Sequence, residues 1–250
     1  MVSLPNHDMP ERDVLLMGSA IRTPKAFQAI ADPDERLLQT LCGLVRWIRD
    51  TSVDTIVLCD GTDPDYDFSR IQGFAADHGK TLETLLFTKE NDQYATRGKS
   101  FGEGQVLEYA VTHSAHLRPG GNFYKVTGRT FVENFDAIKT AHAADETVFT
   151  GPASMMMPKG TPTDAFGPRS VWTQFYKCGV DFFTEHLMRV YLDTDDATNP
   201  IECEYFARLQ NLPHACFAIK PFIVGRNGGL DLPYDADFDE ETIALARTFI

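Results

Sequence analysis

The sequence predicts an α/β protein with a mostly parallel central sheet and helices on both faces. Three observations carry that prediction. Short, wholly apolar runs alternate with longer segments of helical periodicity, the pattern of strand-helix-strand units. The apolar runs end at turns rich in Gly and Asp. The length, 250 residues, suits one large α/β domain, because a figure of roughly 150 residues per domain is only a soft prior. The composition, 43% hydrophobic and 24% charged, is that of a globular protein and excludes disorder, collagen and coiled coil as descriptions of the whole chain.

The elements are justified in chain order. Residues 14–17 (VLLM) read as a first strand ending at Gly18. Asp32-Pro33-Asp34 is a helix-start signal. Beyond it Leu37, Leu38, Leu41, Leu44, Val45 and Ile48 share a helical face that packs onto the sheet. Residues 55–59 form a second buried strand that stops at Asp60-Gly61-Thr62. A helix over about 68–78 and a third strand over 82–87 complete the first half. Right-handed crossovers result from strand twist. Ligands in such sheets sit beyond the carboxyl ends of the strands, which singles out the loops after Met17, Cys59 and Phe87.

The second half is less regular. A helix is predicted over about 102–116, with Val106, Leu107, Ala110 and Val111 on one face, broken by Arg118-Pro119-Gly120-Gly121. Residues 123–132 read as a strand interrupted near Gly128. The stretch 151–170 carries four Pro, three Gly and three adjacent Met, the composition of a long loop of the kind that serves as a lid. Next come a strand over 171–176, a helix over 181–191, an acidic turn over 193–200 and a helix over 201–212. From Asp231 the chain reads as acidic loop before a last short helix. The division expected is an N-terminal extension (1–12), a single domain (13–235) and a C-terminal tail (236–250).

Charge and cysteine usage narrow the function. Lys and Arg number 23 against 36 Asp and Glu, a formal net charge of −13. Such a chain repels phosphate backbones, which argues against nucleic-acid binding through a general basic face. No run approaches the ~18 apolar residues of a membrane span, and the N-terminus lacks the basic start and apolar core of a signal peptide. A cytoplasmic protein without a transmembrane segment is expected. Cys42, Cys59, Cys178, Cys203 and Cys216 are scattered, with no CxxC or CxxH pair. They read as buried, reduced thiols, neither a disulfide framework nor a zinc site. His113 and His116 are three apart on a predicted helix but have no third ligand in view.

Five constellations could carry chemistry. Asp60, leaving a buried strand into Gly61, can accept hydrogen bonds from a base or ribose, or can instead serve the turn itself. Arg97-Gly98-Lys99-Ser100 opens a helix whose free N–H groups suit a phosphate, though the spacing is not that of a P-loop. Along a strand Lys125, Thr127 and Arg129 point to one face, and two cations with a hydroxyl suit a diphosphate. A surface cation pair is the alternative. Asp193-Thr194-Asp195-Asp196 has the carboxylate spacing of a divalent-metal site, but it comes after an amphipathic helix rather than ending a buried strand. An exposed acidic turn fits better. Glu202 shares a helical stripe with Tyr205, Phe206 and Leu209, whereas Glu204 and Arg208 form a solvated i, i+4 pair. A carboxylate on an apolar stripe is costly unless paired or functional, and burial raises its pKa toward that of a general base. A partly exposed edge position or a buried ion pair is the other reading of Glu202.

In this order the pieces resemble GT-A-type glycosyltransferases of bacterial surface-polysaccharide assembly (capsule and lipopolysaccharide). Asp60-Gly61-Thr62-Asp63 looks like their Asp-Gly-Ser-Thr-Asp turn, which contacts the nucleotide. Gly98-Lys99 is similar to the segment before their metal-binding strand. The strand over 123–132 stands where their Asp-x-Asp strand would be, with Lys125-Val126-Thr127-Gly128-Arg129 in its place, as in a branch lacking the usual metal motif. Thr173-Gln174-Phe175-Tyr176 and Ile201-Glu202 look like the acceptor half of that branch, and 221–225 resembles its closing segment. The similarity covers roughly residues 13–235. It implies a single GT-A-like (Rossmann-like) domain, with a nucleotide-sugar half (13–135) and an acceptor half (136–235).

The same resemblance implies an inverting nucleotide-sugar glycosyltransferase acting on a glycan or glycolipid hydroxyl, with peripheral membrane association. Glu202 would be the base, and Lys125 and Arg129 the leaving-group clamp. Asp60, Gly61, Lys99, Thr127 and Gly128 would hold the donor, and Thr173 and Gln174 would lie on the acceptor side. No required cofactor is implied. Mn²⁺ or Mg²⁺ at Asp193 and Asp195 is the runner-up. The competing readings are a sugar-nucleotide nucleotidyltransferase, which needs a Gly-rich basic loop after the first strand (here 18–25), and a non-catalytic subunit with a degenerate transferase fold.

Overall fold

The computed structural model describes residues 13–23, 29–88, 96–150 and 169–250. Its centre is a seven-stranded sheet with strand order β3-β2-β1-β4-β7-β6-β8. The strands are β1 (Val14–Ser19), β2 (Thr55–Asp60), β3 (Thr81–Leu86), β4 (Asn122–Thr127), β6 (Val148–Phe149), β7 (Phe175–Gly179) and β8 (Ala215–Cys216). The first four run parallel; β7 is antiparallel to both β4 and β6, and β6 and β8 are parallel. A small second sheet, β10-β9-β5, joins β5 (Thr130–Val132), β9 (Ile223–Asn227) and β10 (Leu232–Pro233).

Alternation along the strands feeds two cores. Leu15 and Met17 of β1 and Ile56 and Leu58 of β2 face one core, with α1 (Pro33–Asp50) and α2 (Ser69–Asp77) over it. Val14, Leu16, Val57 and Cys59 face the other, under α3 (Lys99–His113) and α5 (Ile201–Leu209). The predicted α/β class, with helices on both faces, is therefore what the chain adopts. Trp47 pins α1 to the small sheet: its indole N–H donates to Thr130 O at 2.9 Å, and the ring packs edge-on against Phe131 and Phe135, the latter on α4 (Phe135–Ala141).

Several expectations shift, each for a local reason. The interrupted strand over 123–132 is two strands in different sheets. The strand expected over 171–176 begins only at Phe175: Thr127 N–H still donates to Gln174 O in register with the β4–β7 ladder, but Val171 N–H donates to Glu202 O instead. The helix expected over 181–191 runs from Val180 to Phe182 and widens into a π-turn, Phe183–Leu187, where Met188 N–H reaches Phe183 O. A 3₁₀ turn, Val190–Asp193, comes next. The helix from Ile201 ends at Leu209 rather than 212. In the C-terminal stretch, Arg226 bridges Asp231 and Asp237, and α6 (Glu240–Arg247) packs on α1, bringing Ala246 and Phe249 into the core. Cys42, Cys59 and Cys178 are buried, but Cys216 is exposed, and none of the five forms a disulfide. Among the described residues no helix is long and apolar enough to cross a membrane. The predicted loop falls, up to residue 168, outside the described residues.

Candidate active site

From β1 the chain builds β2 and β3 to one side and then returns to place β4 on the other. Adjacent parallel strands whose connections leave in opposite directions open a crevice at their carboxyl ends, where α/β sheets bind ligands. A half-open cleft lies there, its enclosed part measuring about 130 Å³. Gly18, Ser19 and Ala20 at the end of β1 form one wall, and Lys125, Thr127 and Arg129 from β4 and the turn after it form another. Lys99 and Glu103 reach in from α3, Glu202 from the first turn of α5, and Gln174 from the segment before β7. The β9–β10 hairpin closes the rim with 227–229 and Tyr234.

The lining is electrostatically distinct from the rest of the chain. Arg36, Lys99, Lys125 and Arg129 are set against two carboxylates, Glu103 and Glu202, in a protein of net charge −13. A cation-rich cleft with low-dielectric walls concentrates anions. Arg36 is almost wholly buried; its guanidinium donates to Ala20 O at 2.7 Å and to Ile30 O at 3.0 Å, fixing the segment after β1.

At the floor, Lys125 is 1% exposed and its ammonium donates to a Glu103 carboxylate oxygen and, at 2.6 Å, to Thr173 O. Thr173 Oγ1 in turn donates to Glu202 Oε1 at 3.3 Å. Glu202 is half-buried by surface area, yet its carboxylate is surrounded by protein within the open cleft. Burial pushes its pKa up, and the neighbouring Glu103 charge adds to the rise, while its own backbone N–H, Lys99 and Lys125 pull the other way. A carboxyl group raised in this way is suited to taking a proton.

The structure gathers Glu202, Lys125, Arg129, Lys99, Thr127 and Gln174 around one cleft, with Thr173 linking Lys125 to Glu202. Lys125 and Thr127 share a face of β4, whereas Arg129 arrives from the turn after it. Other candidates have different work. Asp60 is fully buried: one oxygen accepts from Ile21 N at 2.9 Å, the other from Thr62 N at 2.8 Å and from the Thr62 hydroxyl. Gly61 N–H donates to Ser19 O. Neither residue lines the cleft; both brace the segment that does. A Cβ on Gly128 would meet Gly18 O at 2.7 Å and Ser19 Cβ at 2.8 Å, so this glycine lets β1 approach, rather than making room for a donor.

The α3 N-terminus does not offer free N–H groups: Asp196 accepts from Lys99 N at 2.6 Å and from Ser100 N at 3.0 Å. Gly98 has φ +89°, and any side chain there would collide with that carboxylate. The acidic turn is thus a cap supplied from elsewhere in the chain. Asp193 lies 3.9 Å from Arg208, and Asp195 accepts from Ala197 N at 2.8 Å. No group of three His, Cys, Asp or Glu side chains placed to hold a metal ion is found among the described residues. The expected Glu204–Arg208 pair does not form; Glu204 accepts from Asn199 and Arg208 faces Asp193.

Sequence reasoning missed Arg36, Glu103, Ser19, Asn227-Gly228-Gly229 and Tyr234. Two signals pointed to them: Glu103 is one helical turn from Lys99, and Asn-Gly-Gly between apolar runs marks a hairpin.

No protein-family model and no curated protein matches the chain in sequence. Solved structures similar to it include the glycosyltransferase GlyE of Streptococcus pneumoniae TIGR4 (10% identity, TM-score 0.47, over 83% of this chain and 45% of that one). Another is 4-diphosphocytidyl-2C-methyl-D-erythritol synthase of Anaerococcus prevotii DSM 20548 (12%, TM-score 0.48, 96% of both chains). A third is the galactosyltransferase LgtC in complex with donor and acceptor sugar analogs (7%, TM-score 0.49, 82% and 73%). The chain spans less than half of the GlyE chain. These scores assign no activity; the α/β architecture rests on the sheet order and register above.

Proposed function

We propose that the protein is a glycosyltransferase that moves a sugar from a nucleotide-sugar donor to a hydroxyl of a glycan acceptor, with inversion. The observation that carries this reading is a raised-pKa carboxylate, Glu202, inside a cation-lined cleft at the sheet's switch point. As the acceptor oxygen bonds to the anomeric carbon, the bond from that carbon to the diphosphate breaks, and the acceptor proton passes to Glu202. The leaving diphosphate needs positive charge. Arg129, Lys99 and Lys125, the last shared with Glu103, line the cleft and supply that charge. Thr173 and Gln174 lie on the acceptor side, and the acceptor class is that of surface polysaccharides or glycolipids. The protein's own cations reduce the need for Mn²⁺ or Mg²⁺ on the leaving group.

A thermal-shift panel of nucleotides and nucleotide sugars, first in EDTA and then with Mn²⁺, tests the reading. A ligand that binds only the folded chain raises Tm by mass action. Stabilisation by one nucleoside diphosphate or its sugar in EDTA is the expected result; no shift with any of them contradicts the reading. One observation favours a nucleotidyltransferase as the second reading: the end of β1 and the residue after it, Gly18, Ser19 and Ala20, line the cleft. Triphosphate consumption with pyrophosphate release would establish that reaction instead.

A further inference from the structure

Four groups from four segments form one chain of contacts at the cleft floor: Glu103 on α3, Lys125 on β4, Thr173 before β7 and Glu202 on α5. Lys125 is its pivot. The ammonium is buried, and its two hydrogen bonds on this chain go to Glu103 and to Thr173 O. Glu202 does not receive that cation directly; it receives the Thr173 hydroxyl at 3.3 Å, a long contact. Two carboxylates thus compete for one buried lysine, and Glu103 holds it.

We propose that Glu103 is a positioning residue that keeps the Lys125 ammonium away from Glu202, so that Glu202 remains a strong enough base to take the acceptor's proton. The inference rests on the reading of Glu202 as that base. A buried carboxylate paired directly with an ammonium has its pKa lowered and becomes a poorer proton acceptor. With Lys125 held by Glu103, a like charge and the surrounding protein act on Glu202 instead, and both favour its protonated form. The arrangement also accounts for a lysine at the floor of an anion-binding cleft that is not fully available to the anion.

The other charged and titratable groups facing Glu202 are few. Lys99 on α3 opposes the rise. Arg129 and Tyr234 lie across the cleft, near each other. On its own helix Glu202 has Cys203, Glu204 and Tyr205 as neighbours, and burial raises the Cys203 thiol and the Tyr205 phenol above their ordinary ranges, so both stay neutral near pH 7. Of these groups, Glu103 is the one that contacts Lys125 and also bears a like charge.

The test is a carboxyl ¹³C NMR titration of Glu202 in the full-length protein, its resonance assigned by its loss in Glu202→Gln. In Glu103→Gln the like charge is gone and Lys125 is released, so the Glu202 titration moves to lower pH. In Glu103→Gln/Lys125→Met the released cation is gone as well, and the titration moves back up from the single variant. An unchanged or upward-shifted midpoint in Glu103→Gln overturns the proposal. If that variant does not fold, Glu103→Asp, whose shorter side chain loosens its hold on Lys125 while keeping the negative charge, should also lower the Glu202 midpoint, and an unchanged or raised midpoint there overturns the proposal equally. A merely structural role for Glu103 would alter stability without this pattern of midpoints. If the midpoints move as expected but no donor supports transfer, the positioning role stands and the catalytic reading of Glu202 fails.

Discussion

Two carboxylates near the carboxyl ends of the parallel strands illustrate opposite uses of one functional group. Asp60, at the end of β2, is fully buried and accepts two backbone N–H groups and a hydroxyl. Glu202, at the start of α5, is surrounded by protein, yet among the described residues the donors that reach its carboxylate are its own backbone N–H and one distant hydroxyl, Thr173 Oγ1. The first is satisfied by the chain and ties the segments after β1 and β2 together. The second is left under-satisfied beside another carboxylate, an arrangement that costs stability and suits proton transfer. Acid residues near a cleft are therefore told apart by the number of donors that reach them, more than by burial.

That contrast can be broken by making the same change, carboxylate to amide, at both positions. Asp60→Asn puts an NH₂ where acceptors are needed and leaves buried N–H groups unmatched, at about 1–3 kcal/mol per unsatisfied group. Urea unfolding should show this loss. A fully stable Asp60→Asn protein with weakened nucleotide affinity would instead return Asp60 to the site. Next in size, Asp196→Ala removes the cap of α3 and should cost about 1 kcal/mol, also read by urea. If it leaves stability unchanged while abolishing a Mn²⁺-dependent response, the acidic turn is a metal site after all.

The smallest effect has the opposite sign. Because the folded state raises the Glu202 pKa, the native protein holds that proton more tightly than the unfolded chain does. Stability from this group is greatest at low pH and falls as pH rises through the raised value. Glu202→Gln removes the ionised, buried form, so its Tm should exceed wild type near neutral pH, with the difference vanishing in acid. A Tm difference independent of pH would contradict the assignment of a raised pKa.

Much of the fold was legible because it depends on local pattern. The apolar run 55–59 and the Leu37–Ile48 stripe needed no partner to be recognised as strand and helix. The part that failed depends on distant contacts. Val171 and Trp172 read as the start of a strand, but Val171 N–H donates to Glu202 O on another element. The Gly98-Lys99 turn looked like a vacant phosphate seat, since a cap 97 residues away along the chain leaves no local trace. Glu202 was legible because its helical phase set it among apolar residues. Glu103 was not, because its meaning depends on Lys125, which lies on another element. Gly128 was placed among the donor-holding residues, but what a Cβ there would meet is Gly18 and Ser19 at the end of β1.

The most direct test of the central claim separates donor binding from transfer in Glu202→Gln. With the nucleotide sugar that stabilises the wild-type protein, donor Kd and single-turnover transfer to a glycan acceptor are measured on both proteins. General bases contribute about 10²–10⁴ in rate. A variant that binds donor with unchanged Kd but transfers at least about a hundredfold more slowly is the predicted result. A variant that transfers at the wild-type rate would contradict the account and remove Glu202 from the chemistry.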